Sequence, residues 1–189
     1  MGAKQMAENK PARGAAYGGT AKTLHWLIVV ILSVQFAVAW TMPDIGRGTQ
    51  PGRLIALHLS IGFLVLILAI LRLLWRLAHP VEPVTEGVPR WQVRAAQAVH
   101  WLLYFLLLAL PVLGWASASA RGWSLRFFGL LPVPSLLPAD PALAGTLGNV
   151  HQLAAYTLLG LVALHVLAAL YHHFVLRDRV LLRMLPERR

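Results

Sequence analysis

The sequence contains no cysteine. This absence excludes structural disulfides, iron–sulfur clusters held by thiolates, and covalent haem attachment through a Cys-x-x-Cys-His motif. A haem in this chain would have to be held without a covalent link, by side chains such as histidine.

Charged residues are also scarce. They make up 13% of the 189 residues, whereas 58% are hydrophobic, and the mean hydropathy is +0.63. This composition is typical of an integral membrane protein surrounded by lipid. The 17 Lys and Arg residues outnumber the 7 Asp and Glu residues. They stand at the ends of apolar runs, as the flanks of membrane helices do, so we expect no nucleic-acid partner.

Four apolar runs are each long enough to cross a hydrocarbon layer about 30 Å thick. We predict an all-α integral membrane protein, a bundle of four transmembrane helices, with spans at Leu24–Met42, Leu54–Leu77, Val93–Ala118 and Asn149–Phe174. The first run also resembles a cleavable signal peptide, but we favour a retained span. Pro111 predicts a kink in the third span. The Pro-rich connection 119–148 is predicted to lie at the membrane interface, with a short helix around Ser124 to Leu130.

The basic residues predict the orientation. Thirteen of the 17 flank the N-terminus, the second connection and the C-terminus, and the other four are Arg47, Arg53, Arg121 and Arg126. The positive-inside rule then places both termini in the cytoplasm. We divide the chain into a flexible cytoplasmic tail (1–20), a transmembrane domain (21–178) and a basic cytoplasmic tail (179–189).

Four histidines fall at matching depths in these spans. His25 begins the first span on the cytoplasmic side, and His58 begins the second on the periplasmic side. His151 and His165 stand fourteen residues apart on the fourth span, which is about 21 Å of helix rise on nearly the same face. His25 therefore matches His165 in depth, and His58 matches His151 in the same way. A histidine within a membrane needs a partner, and each pair can supply the two axial nitrogens of a b-type haem.

Two other interpretations of these histidines are open. A histidine in a membrane helix also serves as a hydrogen-bonded packing residue, and a histidine-lined path also suits a zinc or copper transporter. A transporter is expected to carry carboxylates or thiolates in its spans. The interiors of the four runs contain no Asp, Glu or Cys, which favours haem.

Three further residues are candidates for the inner, cytoplasmic side. Arg72, fourteen residues after His58, is a candidate partner for a haem propionate, or else an interfacial residue that extends to the membrane surface. His172 follows His165 by seven residues, which puts it on the same face about 10 Å nearer the cytoplasm. His172 and His100 are both candidates for binding a quinone, or else ordinary residues of helix ends at the interface.

Several short motifs in order resemble the bacterial cytochrome b561 family, and within it the small di-haem superoxide oxidases. They are LHW (24–26), LHLSIG (57–62), LRLLWRLAHP (71–80), YFLLLALPVLGW (104–115), VHQLAAY (150–156) and LHVLAALYHHF (164–174). The resemblance covers nearly all of residues 17–186. It implies a four-helix bundle with two b haems, ligated in the pairs given above. It also implies that electrons pass from superoxide at the outer haem to ubiquinone at the inner one, with His172 serving the quinone.

We therefore predict an oxidoreductase of the bacterial inner membrane that oxidises superoxide at its periplasmic face and reduces ubiquinone. The four outer arginines would attract superoxide electrostatically against Asp44 and Asp140, although ordinary loop charges explain them equally well. The alternative function is an electron-conducting haem b anchor subunit for a dehydrogenase or hydrogenase, which implies a redox partner protein.

Overall fold

A computed structural model describes residues 17–46, 48–81, 89–178 and 180–185. In chain order the elements are α1 (Gly19–Thr41), α2 (Arg53–Ala78), α3 (Arg90–Ala120), β1 (Leu125–Phe127), β2 (Leu131–Val133) and α4 (Pro141–Tyr171). A π-helical turn at His172–Leu176 continues α4, and a 3-10 helix follows at Leu182–Met184. Within these described ranges, four helices are long and apolar enough to cross a membrane. The predicted four-helix membrane fold is therefore confirmed.

The orientation of the termini and the division into tails stay predictions. Residues 1–16 of the first predicted tail and residues 179 and 186–189 of the second lie outside the described residues, and so does Arg47 in the first connection.

Successive helices run antiparallel. Near the end of α2, Arg72 donates to the carbonyl of Ala21 near the start of α1. Near the end of α3, Gly114 lies against His151 near the start of α4. Helix α3 packs on both α2 and α4, and α1 packs on α2. The end of α1 therefore lies beside the start of α2, and the end of α3 lies beside the start of α4. This arrangement agrees with the depths predicted for the histidines.

The buried core is thin, as expected of a bundle in lipid. One cluster joins Val38 of α1 to Ile61 and Val65 of α2, and another joins Leu110 of α3 to Leu158 of α4. Few side chains of α1 and α4 are fully buried within the bundle, and the others are partly or largely exposed. Apolar side chains on the outside of a spanning helix are solvated by lipid tails.

The connection after α3 contains a β-hairpin, so the predicted short helix around Ser124 to Leu130 is wrong and the fold is not purely α-helical. Strands β1 and β2 pair antiparallel, with Leu125 opposite Val133. Positive φ angles at Phe128 (47°) and Gly129 (74°) close the turn, and such angles are usual in tight hairpins. The hydroxyl of Ser60 on α2 accepts the Phe128 N–H at 3.0 Å. The hairpin is thereby attached to the end of the bundle.

Helix α4 begins eight residues earlier than predicted. Asp140 caps it, since its Oδ1 accepts the N–H groups of Ala142 and Leu143, both at 3.0 Å. Pro141 occupies the first helical position, where its missing N–H costs nothing. Helix α3 also begins three residues before the predicted Val93, and it continues through Pro111 without ending.

Candidate functional site

His58 on α2 and His151 on α4 face each other at the end of the bundle that carries the hairpin. Their ring centroids are 6.1 Å apart, and the ring planes make an angle of 78°. We call them the outer pair. They line a cavity of about 640 Å³, to which Gln35, Arg121 and Tyr156 also contribute. A water molecule occupies about 30 Å³ of liquid, so this cavity has room for a group far larger than a metal ion.

His151 is oriented by a hydrogen bond from its own helix to α3. Its Nδ1 lies 3.0 Å from the carbonyl oxygen of Leu110. A carbonyl only accepts, so Nδ1 carries the proton and Nε2 keeps its lone pair. Gly114 makes room for the ring, because a Cβ there would lie 3.2 Å from His151 Cε1 and 3.4 Å from Nδ1. A histidine held in this way presents Nε2 as a ligand, which is the usual arrangement at metal centres.

His58 is contacted by a buried amide. Gln35 on α1 donates from Nε2 to the carbonyl of His58 at 3.0 Å, and the same Nε2 lies 3.3 Å from His58 Nε2. Among the described residues, Gln35 Oε1 is buried without a hydrogen-bond partner. Buried polar atoms are nearly always paired. Because Gln35 lines the outer cavity, its amide makes the cavity wall next to His58 polar.

His25 on α1 and His165 on α4 form the inner pair at the opposite end. Their ring centroids are 6.4 Å apart, again with an angle of 78° between the ring planes. His100 on α3 lies closer, with its ring centroid 5.2 Å from that of His165, and its Nδ1 donates to the Ala96 carbonyl at 2.6 Å. Three imidazoles therefore meet at this end of the bundle.

The spacing of both pairs fits axial ligation of one iron by two imidazoles. Two imidazoles that held one metal ion between them, with metal–nitrogen bonds of about 2.0 Å, would have their ring centroids about 6 Å apart. The observed 6.1 and 6.4 Å agree with this value. The 5.2 Å between His100 and His165 is too short for it. The geometry therefore favours His25 over His100 as the partner of His165.

A site for a bare metal ion is not found in the described part of the chain. No group of three or more His, Cys, Asp or Glu side chains there is arranged to hold an ion. Carboxylate, thiolate and imidazole groups are the side chains that bind zinc or copper. A porphyrin brings four nitrogen ligands of its own, so two histidines are enough to complete the coordination of its iron.

Two arginines lie at the inner end. Arg72 Nη1 donates to the carbonyl of Ala21, one turn before His25 on α1, at 2.8 Å. Arg76, one turn later, lies over the rings of Trp101 and Tyr104, at 5.7 and 5.6 Å from their centroids. One guanidinium N–H of Arg72 is used by the backbone, and the pairing of this residue with a propionate stays a prediction.

The two candidate quinone residues differ in their surroundings. His100 lies within the bundle against His165, as described above. His172 lies beyond the last turn of α4, where its Nδ1 is 2.5 Å from Oδ2 of Asp178. His100 and His172 therefore have different neighbours, and their roles toward a quinone stay predictions.

The outer arginines take different positions. Arg121 lines the cavity of the outer pair, donates to the Gly46 carbonyl at 3.0 Å and lies over the ring of Trp123. Arg126 is in the hairpin and contacts the Gly129 carbonyl at 3.4 Å, and Arg53 is exposed at the start of α2. Asp44 lines the same cavity as Arg121. Among the described arginines of this side, Arg121 is the one that lines the outer cavity.

Sequence reasoning missed three contributions to these sites. Gln35 is one polar residue in an apolar run, and nothing in the pattern of that run identifies it as a contact of His58. Gly114 lies close to Pro111 in an apolar run, and no sequence pattern shows that it gives space to His151. Asp178 comes after the π-helical turn that continues α4, and only its contact with His172 distinguishes it from an ordinary flanking charge.

A bundle of four membrane helices with histidines paired at two depths between α1 or α2 and α4 defines the class of membrane-bound b-type cytochromes. The chain belongs to the prokaryotic cytochrome b561 family, whose model matches residues 16–187. It is therefore a multi-pass bacterial membrane protein that binds haem b and transfers electrons.

Three relatives illustrate the similarity. A protein of Yersinia pestis, described as a probable superoxide oxidase CybB, is 36% identical over 170 residues, which are 88% of this chain and 93% of that protein. Cytochrome b561 homolog 2 of Escherichia coli (strain K12) is 33% identical over 181 residues, or 95% of this chain and 94% of the relative. Cytochrome b561 homolog 1 of the same strain is 30% identical over 167 residues, or 88% and 94%.

Proposed function

We propose that this protein is a di-haem superoxide oxidase of the bacterial inner membrane, with both termini in the cytoplasm. It takes electrons from superoxide at its periplasmic face and delivers them to ubiquinone near its cytoplasmic face. The observation that carries the proposal is the spacing of the two histidine pairs, 6.1 and 6.4 Å between ring centroids, at opposite ends of one bundle.

His58 and His151 would hold the outer haem, and His25 and His165 the inner one. Bound haem b supplies a one-electron couple at each end of the bundle. A haem whose iron was held by two histidines would favour electron transfer over the binding of a further ligand. The fourteen residues from His151 to His165 separate the two ligands of α4 by about 21 Å along the helix, so electrons can cross most of the hydrocarbon layer within one chain.

Superoxide would enter at the cavity of the outer pair. Superoxide is a small anion, and Arg121 places a permanent positive charge on the wall of that cavity. Charges at the mouth of a cleft raise the rate of association with an oppositely charged substrate. The similarity to a relative described as a probable superoxide oxidase, at 36% identity, supports the same substrate.

Ubiquinone would be reduced at the inner end. Two superoxide anions each lose one electron and leave as O2, and ubiquinone takes up those two electrons and two protons to become ubiquinol. The inner end offers the groups that this step needs. Arg72 holds a positive charge beside the inner pair, and the imidazoles of His100 and His172 can hydrogen-bond a quinone carbonyl.

The test uses the purified full-length protein in detergent. Its haem content per chain is measured first, and we expect two haems. The oxidised protein is then mixed with an enzymatic source of superoxide and a short-chain ubiquinone, with superoxide dismutase as the control. Rapid haem reduction that the dismutase abolishes, followed by formation of ubiquinol, supports the proposal.

Slow haem reduction that is insensitive to salt and to the dismutase would instead support an anchor subunit that serves a dehydrogenase or hydrogenase. A colourless protein would remove the haem proposal altogether.

A further inference from the structure

We propose that Asp178 is a positioning residue, which holds the imidazole of His172 so that His172, a quinone-binding candidate in the function proposed above, can protonate the reduced quinone. The inference rests on the reduction of ubiquinone proposed above, and it adds a positioning residue, Asp178, for which no role was predicted. It is drawn from three features of the chain after α4.

The first feature is the contact itself. His172 Nδ1 and Asp178 Oδ2 are 2.5 Å apart, and the side chains are 19% and 28% exposed. The second oxygen of the carboxylate, Oδ1, accepts the N–H of Val180 at 2.9 Å. Both oxygens of Asp178 are therefore engaged, so the carboxylate has a fixed direction. A carboxylate held in this way fixes the tautomer and orientation of an imidazole.

The second feature is the backbone that makes the contact. Helix α4 widens into a π-helical turn at His172–Leu176, and Arg177 follows in the left-handed conformation at φ 54° and ψ 33°. The N–H of Asp178 then bonds back to the carbonyl of His172 at 3.1 Å. Left-handed residues other than glycine are uncommon, and π-helical turns are frequent at functional sites. Together they reverse the chain so that a carboxylate reaches the imidazole six residues before it.

The third feature is the location. His172 follows the inner ligand candidate His165 by seven residues, which is about 10 Å along the helix on nearly the same face. The chain then folds back across the start of α1, where Trp26 Nε1 donates to the carbonyl of Met184 at 2.9 Å. The pair therefore lies between the inner histidine pair and the adjacent aqueous side, which is where protons enter.

The chemistry follows from the two nitrogens of the ring. Nδ1–H donates to Asp178, so Nε2 is the nitrogen that remains available for a quinone oxygen. Each ubiquinone needs two electrons and two protons. The electrons arrive through the bundle from superoxide, and His172 delivers a proton from Nε2 to a quinone oxygen after reduction. Water at the partly exposed pair then returns a proton to Nε2, and the second delivery repeats the first.

The experiment separates proton-coupled from proton-free oxidation of the same protein. The full-length, haem-loaded protein is reduced anaerobically with a stoichiometric amount of dithionite and mixed by stopped flow with a short-chain ubiquinone or with ferricyanide. Ferricyanide accepts one electron and no proton. The variants are His172→Gln, Asp178→Asn and Asp178→Glu, and the matched control is His173→Gln, because His173 contacts the ring of Phe174 instead.

We expect His172→Gln and Asp178→Asn to slow oxidation by ubiquinone at least tenfold, since loss of a positioned acid typically costs a hundredfold or more. The KM for ubiquinone should stay within about twofold, and oxidation by ferricyanide and the His173→Gln control should be unchanged. Asp178→Glu should recover most of the rate. The wild type should show a solvent isotope effect with ubiquinone but not with ferricyanide. In NMR spectra of protein with ¹⁵N-labelled imidazoles, the Nδ1 proton of His172 should be strongly deshielded. This deshielded signal should be absent from Asp178→Asn.

Two results would overturn the pair alone. One is an unchanged ubiquinone rate in both variants, and the other is equal slowing with ubiquinone and ferricyanide, which would mean that the residues only maintain the fold. A wild-type protein that ferricyanide oxidises but ubiquinone does not would overturn the proposed acceptor and the pair together.

Discussion

Gly114→Ala tests whether α3 controls the outer haem through His151. The added Cβ would lie 3.2 Å from His151 Cε1, whereas carbon atoms in contact prefer about 3.5–4.0 Å. The ring must therefore retreat by about 0.3–0.8 Å, which stretches its 3.0 Å hydrogen bond to Leu110 beyond good geometry. Loss of that bond costs about 1 kcal/mol, and loss of an orienting partner typically weakens metal binding 10- to 100-fold.

The assay is haem content per chain after exposure to a competing apo-haem protein, together with a redox titration followed by visible absorption. Gly114→Ala should lose or shift one of two haem components and leave the other intact. The control is Gly160→Ala on α4, where an added Cβ meets nothing within 4 Å. Both changes favour helix formation by about 1 kcal/mol, so a loss in Gly114→Ala alone cannot come from a weaker helix. Two unchanged components in Gly114→Ala would refute the reasoning.

Three further predictions concern the two pairs and the cap of α4. His165→Ala should remove one haem and leave the outer one, as counted by the pyridine haemochrome method, and equal loss of both would contradict the pairing. Arg121→Gln should lower the second-order rate of haem reduction by superoxide several-fold at low salt and flatten its dependence on ionic strength; a parallel salt dependence would argue against steering. Asp140→Ala removes two capping bonds and should cost about 1 kcal/mol, seen as a lower Tm with unchanged haem spectra.

The helices were predictable because apolar runs of this length have one stable form in a membrane. All backbone polar groups must be paired within the span, so the run becomes a helix. Once the helices are assigned, the rise per residue places His151 and His165 at two depths without knowledge of packing. The same arithmetic matches them with His58 and His25, and the structure brings each of these pairs within 6.4 Å.

The connections were predicted less well because their form depends on contacts that are distant in sequence. Apolar residues around Phe127 suit a helix or a strand. The hairpin is selected by the left-handed turn at Phe128 and Gly129 and by the bond from Ser60, 68 residues earlier. The early start of α4 had a local signal in Asp140-Pro141, a capping residue followed by proline. The prediction instead followed the long apolar run, which begins at Asn149.

The supporting groups of the sites could not be derived from periodicity. Leu110 acts through its backbone carbonyl, which every residue possesses, and Gly114 acts through a side chain that it lacks. Asp178 depends on an unusual backbone conformation at Arg177. Such contributions arise from how elements meet, and a single sequence does not encode them in a local pattern.

One helix contributes a histidine to both pairs. Because α4 is unbroken from Pro141 to Tyr171, covalent geometry and its internal hydrogen bonds set the distance between His151 and His165. Small motions of α1 or α2 against α4 can widen or narrow either pair, but they leave the axial separation of these two side chains unchanged. The width of each histidine pair can thus adjust, whereas α4 fixes the separation of the two pairs along the bundle. The rate of an electron transfer that depends on this separation would then stay the same while the surrounding bilayer fluctuates.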